Sequence, residues 1–218
     1  MDTTITEKPK LLQAIEMILA KPEDIKQESL NLISKIERAN PEKLEADIRR
    51  IASEKIISNY SYFAAFVGGT TALAGVIPGI GTAVAVTGGA SADVVASMKF
   101  QIEMTMAIST VYGHDILMEE EKRICYVIAG LGAINEAAKE GGKAVGSKAF
   151  ISLVRENLKG ASLQAVKEIF KKVGITFTRT ALEKAIPFGV GVVIGFSANK
   201  GLTWYVGSKA RDFFAADA

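Results

Sequence analysis

The feature that most constrains this chain is a long run without charge. Between Lys55 and Asp93 there is no Asp, Glu, Lys or Arg. A transmembrane helix needs about 20 apolar residues, so the run is long enough for one such helix or for a tight hairpin. Gly, Ser and Thr are abundant in it, however, and Pro78-Gly79 interrupts its middle. This composition predicts two short helices that are joined at Pro78 rather than one straight helix.

The small residues of this run allow helix backbones to approach each other closely, either in a bilayer or inside a soluble bundle. The sequence leaves both environments open, a hairpin buried in a helical domain and a hairpin inserted in a membrane. In either environment we expect Gly75 and Gly79, which are four positions apart beside Pro78, to lie at a tight helix contact.

The remaining sequence has the periodicity of amphipathic helices, and no segment alternates with the period of a strand. Pro22, followed by two acidic residues, is typical of a first helical turn, and Gly113 is typical of a helix end. We expect helices over residues 11–19, from Pro22 to Asn40, from Pro41 through Ile56, from Asp93 to Tyr112, from Met118 to Lys139, and over residues 147–159 and 161–173.

A second uncharged segment covers residues 185–199 and contains Pro187 and three glycines, but it is too short to span a bilayer unaided. The sequence therefore predicts an all-α fold, a single-domain helical bundle with the two Gly/Pro-rich apolar segments packed at its centre. Residues 1–54 supply N-terminal helices, and residues 55–218 form the main helical domain in one compact unit with them.

Composition excludes several classes of site. His114 and Cys125 are the only histidine and the only cysteine, so neither a disulfide framework nor a Cys/His zinc site is expected. There is no Gly-x-Ser-x-Gly elbow and no Walker loop, and we expect no metal and no cofactor. The first residues lack the basic start and apolar core of a secretory leader, which predicts a cytoplasmic protein.

Four residues are weak candidates for catalysis: Asp93, Tyr112, His114 and Asp115. A contact between His114 and Asp115 at a turn would create a general base. Asp93 suits a structural role better than a catalytic one, because a carboxylate in the first turn of a helix accepts backbone N–H bonds. The sequence leaves open whether the chain is an enzyme.

Basic residues outnumber acidic ones in the C-terminal half, mainly between Lys139 and Lys184. Few aromatic residues lie among them for bases to stack on, so we expect no nucleic-acid partner. Anionic lipid headgroups match better than nucleic acid does, and a merely solvated helix face is favoured over both. A tryptophan near basic residues is also typical of membrane interfaces. The candidate membrane-binding residues are Lys143, Lys148, Lys159, Lys167, Lys171, Lys172 and Trp204.

Several short motifs resemble the EcsC family. They are Gly75-Val76-Ile77-Pro78-Gly79, Ala92-Asp93, Gln101, Tyr112-Gly113-His114-Asp115, Gly130, Lys184-Ala185-Ile186-Pro187-Phe188-Gly189-Val190-Gly191 and Val206-Gly207-Ser208-Lys209-Ala210. The resemblance covers roughly residues 55–212. It implies a bacterial, glycine-rich helical protein that works near membranes, and it implies no particular reaction.

The sequence thus favours a non-enzymatic protein that binds an anionic membrane or a membrane complex, peripherally at the inner face of the cell membrane. Its contacts would be the apolar Gly-rich segments and the basic face. Two alternatives stay open: an enzyme that uses Asp93, Tyr112, His114 and Asp115, and a soluble helical protein-interaction module. The sequence does not indicate an oligomeric state.

Overall fold

The computed structural model describes residues 7–68, 77–87, 92–137, 145–158, 163–183 and 191–217, and over these ranges the chain forms nine helices and no strand. The helices are α1 (Lys10–Glu16), α2 (Pro22–Ala39), α3 (Glu45–Gly68), α4 (Ile80–Thr87), α5 (Ala92–Val111), α6 (Glu119–Ala137), α7 (Ser147–Leu158), α8 (Leu163–Glu183) and α9 (Gly191–Ala215). The prediction of an all-α bundle is confirmed.

Helix α5 lies at the centre of the described bundle. It packs against α1, α2, α3, α4, α6 and α9, and nearly all of its residues from Val95 to Val111 are buried. Polar side chains in such a helix need partners, and several find them within α5 itself. The hydroxyl of Thr105 donates to the carbonyl oxygen of Gln101 at 2.7 Å, and that of Thr110 donates to Met106 at 3.1 Å.

Helices α3 and α9 pack along each other in antiparallel directions. Arg211 lies 3.8 Å from Glu54, and Lys200 lies further towards the other end, over the ring of Tyr62. Between these two points Gly207 faces α3 and α5. A Cβ at Gly207 would lie 2.8 Å from Cγ1 of Ile57, which is closer than real Cβ contacts. The absence of a side chain at this position therefore permits the close approach of the two helices.

Two glycines of α6 face opposite directions, because positions two apart on an α-helix differ by about 200°. A Cβ at Gly130 would lie 2.4 Å from Cγ2 of Ile169 in α8. A Cβ at Gly132 would lie 3.0 Å from Cγ2 of Val206 in α9. Helices α8 and α9 therefore pack on opposite sides of α6.

The expected end of α5 at Gly113 is confirmed. Gly113 has a φ of +91° and donates its N–H to the carbonyl oxygen of Thr110 at 3.1 Å. The N–H of His114 bonds to Ser109 at 3.2 Å, which completes a Schellman motif. This motif turns the chain sharply and places residues 112–115 at the C-terminal end of the central helix.

The third helix differs from its prediction at both ends. It begins at Glu45 and not at Pro41, because the carbonyl oxygen of Leu44 accepts the first helical bonds, from Asp47 at 2.9 Å and Ile48 at 3.1 Å. It then continues to Gly68, across the position expected to separate residues 1–54 from residues 55–218. The loss of charged residues after Lys55 therefore occurs within one helix and does not mark the start of a new element.

The predicted break at Pro78 is described on one side only. Pro78 and Gly79 directly precede α4, and Gly79 has a φ of +81°. A Cβ there would lie 3.6 Å from Ile18, an ordinary distance, so the turn conformation and not a tight helix contact requires glycine. Gly75 lies outside the described residues, as do 69–74, 76 and 88–91.

Candidate functional site

The uncharged second half of α3 has a buried face and an exposed face. Ala64 and Ala65 are buried, whereas Tyr62, Phe63 and Phe66 are 57%, 57% and 54% exposed. Three large aromatic side chains that are exposed within five positions form an apolar surface of the kind that marks an interaction site.

Helix α9 extends this surface. Trp204 is 58% exposed, and Lys200, one helical turn earlier, holds its ammonium group 3.9 Å from the centroid of the Tyr62 ring. Residues four apart lie on the same face of a helix, so Trp204 and Lys200 face the same side of the α3–α9 pair as Tyr62. We define the aromatic patch as Tyr62, Phe63, Phe66 and Trp204.

Within α3 and α9 the charge beside the aromatic patch is of one sign, whereas Glu28 of α2 lines a groove with Phe63. Residues 56–68 of α3 contain no charged residue, and Lys200 is the only charged residue between positions 191 and 208 of α9. Exposed aromatic rings with a lysine beside them, and no carboxylate in these two helix segments, have the composition of a membrane–water interface. The long lysine side chain can place its ammonium among headgroups while its stem covers apolar surface.

Ring contacts with the core hold one edge of the patch in place. The Phe63 ring stacks on Phe100 of α5 with centroids 6.3 Å apart, and Tyr60 packs edge-on against Phe63 at 6.4 Å and Phe100 at 6.3 Å. Burial is the main cause that raises the pKa of Tyr60, and the nearby carboxylate of Glu103 adds to it. The Tyr60 hydroxyl therefore stays protonated, and the rings of Tyr60 and Phe100 that support Phe63 are uncharged.

The lysines that were expected at a membrane lie on other helices. Lys148 is exposed on α7, Lys171 and Lys172 are exposed on α8, and Lys167 is half-buried on α8. Helix α8 lies on the side of α6 opposite to α9. The α8 lysines and Trp204 therefore lie on different sides of α6 and do not form one surface. Lys143 and Lys159 lie outside the described residues.

The four candidate catalytic residues are divided between the two ends of α5. Asp93 lies in the first turn of α5, as expected, and its side chain is at the surface. Partial burial by neighbouring atoms still raises the pKa of its carboxyl. Tyr112, His114 and Asp115 follow the last turn of this 20-residue helix. The helix rise separates the two ends by about 30 Å, so Asp93 does not share a site with the other three.

The expected contact between His114 and Asp115 is replaced by two other pairs. Nδ1 of His114 lies 3.1 Å from a carboxylate oxygen of Glu121, and its ring packs 5.0 Å from Phe214. Asp115 accepts hydrogen bonds from Lys26 at 2.8 Å and from the backbone N–H of Leu117 at 3.1 Å. These two bonds lower the pKa of Asp115. His114 and Asp115 are therefore not arranged as a single base.

The described part of the chain contains neither an assembled metal site nor a reactive thiol. No group of three or more His, Cys, Asp or Glu side chains there could hold a metal ion. Cys125 is fully buried, and burial raises the pKa of its thiol, which stays protonated and unreactive.

No single helix within the described ranges is long and apolar enough to cross a bilayer. Helices α4 and α5 meet the requirements of length and composition when taken together, but they are bent by 111° at their junction.

Comparisons of the chain with protein-family models, curated proteins and solved structures find no significant match.

Tyr62, Phe63 and Phe66 were not predicted as functional residues, because they belong to one long apolar run in the sequence. The spacing of the aromatic residues in the sequence does indicate an exposed face. Large aromatic residues at positions 62, 63 and 66 are segregated from the small residues at 61, 64 and 65, and on a helix this spacing separates an outer face from a closely packed inner face.

Proposed function

We propose that this chain is a non-enzymatic helical protein of the EcsC type that associates peripherally with an anionic membrane, at the cytoplasmic face of the cell membrane. The aromatic patch with Lys200 is the observation that carries this proposal. The Gly- and Pro-rich motifs that resemble the EcsC family support the same function.

The energetics of the patch suit reversible binding. Fully burying a large apolar side chain contributes roughly 1.5–3 kcal/mol, so half-exposed rings that enter an interface contribute on the order of 1 kcal/mol each. Four such rings and one lysine give a moderate affinity, because association also costs translational and rotational freedom. A protein that binds in this way would exchange between membrane and solution.

The basic residues of α7 and α8 have a different role in this proposal. They lie away from the patch, because α8 packs on the other side of α6 and Lys148 lies beside Ala216, past the C-terminal end of α9. Lys148, Lys167, Lys171 and Lys172 therefore attract the chain towards anionic lipid at a distance and need not touch the surface that the aromatic patch enters. Such attraction is screened when the Debye length falls from about 10 Å at 0.1 M salt to about 3 Å at 1 M.

Vesicle co-sedimentation tests the proposal. We expect the protein to sediment with phosphatidylcholine vesicles that contain phosphatidylglycerol, and to do so less at high salt. The double variant Tyr62→Ser/Phe66→Ser should partition about thirtyfold more weakly, because two rings each lose about 1 kcal/mol of apolar contact.

The matched control is Leu44→Ser/Leu117→Ser. Leu44 and Leu117 are 74% and 42% exposed. Leu44 directly precedes α3, and Leu117 follows the end of α5 where Tyr112 lies beside Glu45 and Arg49, so both lie away from the patch. This control should sediment as the wild type does, and circular dichroism should show both variants folded. If the Tyr62/Phe66 variant binds vesicles as well as the wild type, the aromatic patch is not the membrane contact.

A further inference from the structure

A cleft of about 570 Å³ opens between α1, the connection from α1 to α2, α6 and α8. This volume lies within the range of small-molecule binding sites. Apolar side chains form its floor: Leu12, Leu19, Met106, Tyr126 and Val166. The cleft uses none of the residues of the aromatic patch.

The rim of the cleft carries an excess of positive charge. Its charged residues are Lys8, Lys21, Lys122, Arg123, Glu16 and Glu119. Both acids are already paired, Glu16 with Lys8 at 2.7 Å and Glu119 with Lys122. Lys122, and more weakly Arg123, hold the pKa of Glu119 below its usual value. Within the described part of the chain, Lys21 and Arg123 form no ion pair or side-chain hydrogen bond of their own.

Three helices begin at this cleft. Pro22, Glu119 and Leu163 are the first residues of α2, α6 and α8, and all three line it. The first turn of a helix has backbone N–H groups without helical partners and the positive end of the helix dipole. Three such ends add to the attraction that the basic rim exerts on an anion.

A hydrogen bond to the central helix α5 fixes the connection between α1 and α2, which carries Lys21. The N–H of Ala20 donates to Oε1 of Glu103 at 2.7 Å. Glu103 is buried in α5, and both of its oxygens accept from Nζ of Lys99 at 2.7 Å. This anchor fixes the backbone next to Lys21 before any ligand arrives, which lowers the entropy cost of binding.

Tyr126 joins the apolar floor to the polar rim. Its ring packs edge-on against Phe170 with centroids 5.8 Å apart. Burial, with the nearby carboxylates of Glu16 and Glu119 as lesser causes, raises the pKa of Tyr126. The phenol therefore remains a hydrogen-bond donor at neutral pH.

We propose that this cleft binds an amphipathic anion, whose carboxylate or phosphate head contacts Lys21 and Arg123 and whose apolar chain lies along Leu19, Tyr126 and Leu163. A small inorganic anion leaves the accessible apolar part of the cleft in water, where Leu19 and Tyr126 are only partly buried and Leu163 is 48% exposed. A neutral amphiphile leaves the two cations unpaired. The ligand that matches both parts is a single-chain lipid anion. This site is additional to the membrane contact and does not depend on it.

Calorimetric titration with hexyl, octyl and decyl phosphate below their micelle concentrations tests the proposal. Each buried methylene contributes about 0.8 kcal/mol, so affinity should rise about tenfold for every two methylenes added. Inorganic phosphate and octyl glucoside, which offer only the head or only the chain, should each bind at least about tenfold more weakly than octyl phosphate. Equal binding of either compound would overturn the proposal.

Variants then locate the site. Lys21→Gln/Arg123→Gln should weaken octyl phosphate binding by at least about tenfold, because charge-assisted hydrogen bonds to the head are lost. The control Lys10→Gln/Lys35→Gln removes the same charge from exposed positions of α1 and α2 outside the cleft and should have little effect. Equal losses in both double variants would show attraction by net charge alone and would contradict the proposal.

A third variant acts on the mouth of the cleft and leaves its basic residues in place. Leu163 is 48% exposed at the start of α8, so Leu163→Asp should fold and should repel an anionic head. We expect it to weaken octyl phosphate binding and to leave vesicle sedimentation unchanged. Unchanged octyl phosphate binding would place the ligand elsewhere, whereas loss of vesicle sedimentation alone would bear on the membrane proposal.

Discussion

At the scale of single residues, glycines determine how closely the helices of this bundle pack. Gly130 meets α8, Gly132 meets α9, and Gly207 fits between Ile57 of α3 and the Met104 sulfur of α5, each at 2.8 Å from its would-be Cβ. Gly201 lies on the same helix as Gly207 but has open space around it. These two glycines of α9 therefore form a matched pair.

We predict opposite effects of alanine at these two positions. Gly207→Ala should lower the free energy of unfolding by about 1–3 kcal/mol, because the added methyl group overpacks the contact between α3, α5 and α9. Gly201→Ala should raise it by up to about 1 kcal/mol, because alanine favours a helix more than glycine does. Urea denaturation measures both changes. Equal stabilities would contradict the packing role of Gly207.

The sequence predicted local glycine roles better than distant ones. Gly113 was identified correctly, because a helix end is encoded by neighbouring residues. The tight contact expected at Gly79 is not found, since spacing along one segment does not reveal which side chain approaches from another helix. For the same reason Gly207, whose neighbours come from α3 and α5, was not identified as a packing position.

At the scale of elements, the central helix contains an ion pair that its burial makes important. The side chains of Lys99 and Glu103 are only 12% and 4% exposed, and Glu103 also accepts the N–H of Ala20. An exposed pair with the same four-residue spacing joins Arg50 and Glu54 on α3. The two pairs differ in their access to solvent and in their further partners, because Glu54 also lies 3.8 Å from Arg211.

We predict that Glu103→Gln costs about 3 kcal/mol of unfolding free energy, because it leaves the Lys99 ammonium largely buried without its counter-ion. The same change at Glu54 should cost less than about 1 kcal/mol, since water replaces the lost partner of an exposed pair. Denaturant titration of both variants provides the comparison. A small loss for Glu103→Gln would show that the buried pair is not a structural anchor.

Helix positions were largely predictable, because periodicity, Pro22 and Gly113 act locally. The continuity of α3 was not, since the loss of charge after Lys55 was interpreted as a new element. It reflects instead a helix whose exposed face changes from charged residues to aromatic ones. The exposed faces of that end depend on where α5 and α9 pack, which the sequence of α3 alone does not determine.

At the scale of the whole molecule, the described surfaces are separated by the packing around α6. The aromatic patch lies on the α3–α9 pair, whereas the cleft lies between α1, α6 and α8. Because α8 and α9 occupy opposite sides of α6, the lysines of α8 and Trp204 lie on different helix faces. The sequence indicated the lysines and Trp204 separately, but their relative placement depends on tertiary contacts at Gly130 and Gly132.

The most direct test of the membrane contact is the fluorescence of Trp204, which is the only tryptophan and is 58% exposed. With vesicles that contain phosphatidylglycerol, its emission should shift to the blue, and acrylamide should quench it less, because the ring leaves water for the interface. Tyr62→Ser/Phe66→Ser should abolish this change. An unshifted, fully quenched emission from protein that sediments with the vesicles would contradict membrane contact through the aromatic patch.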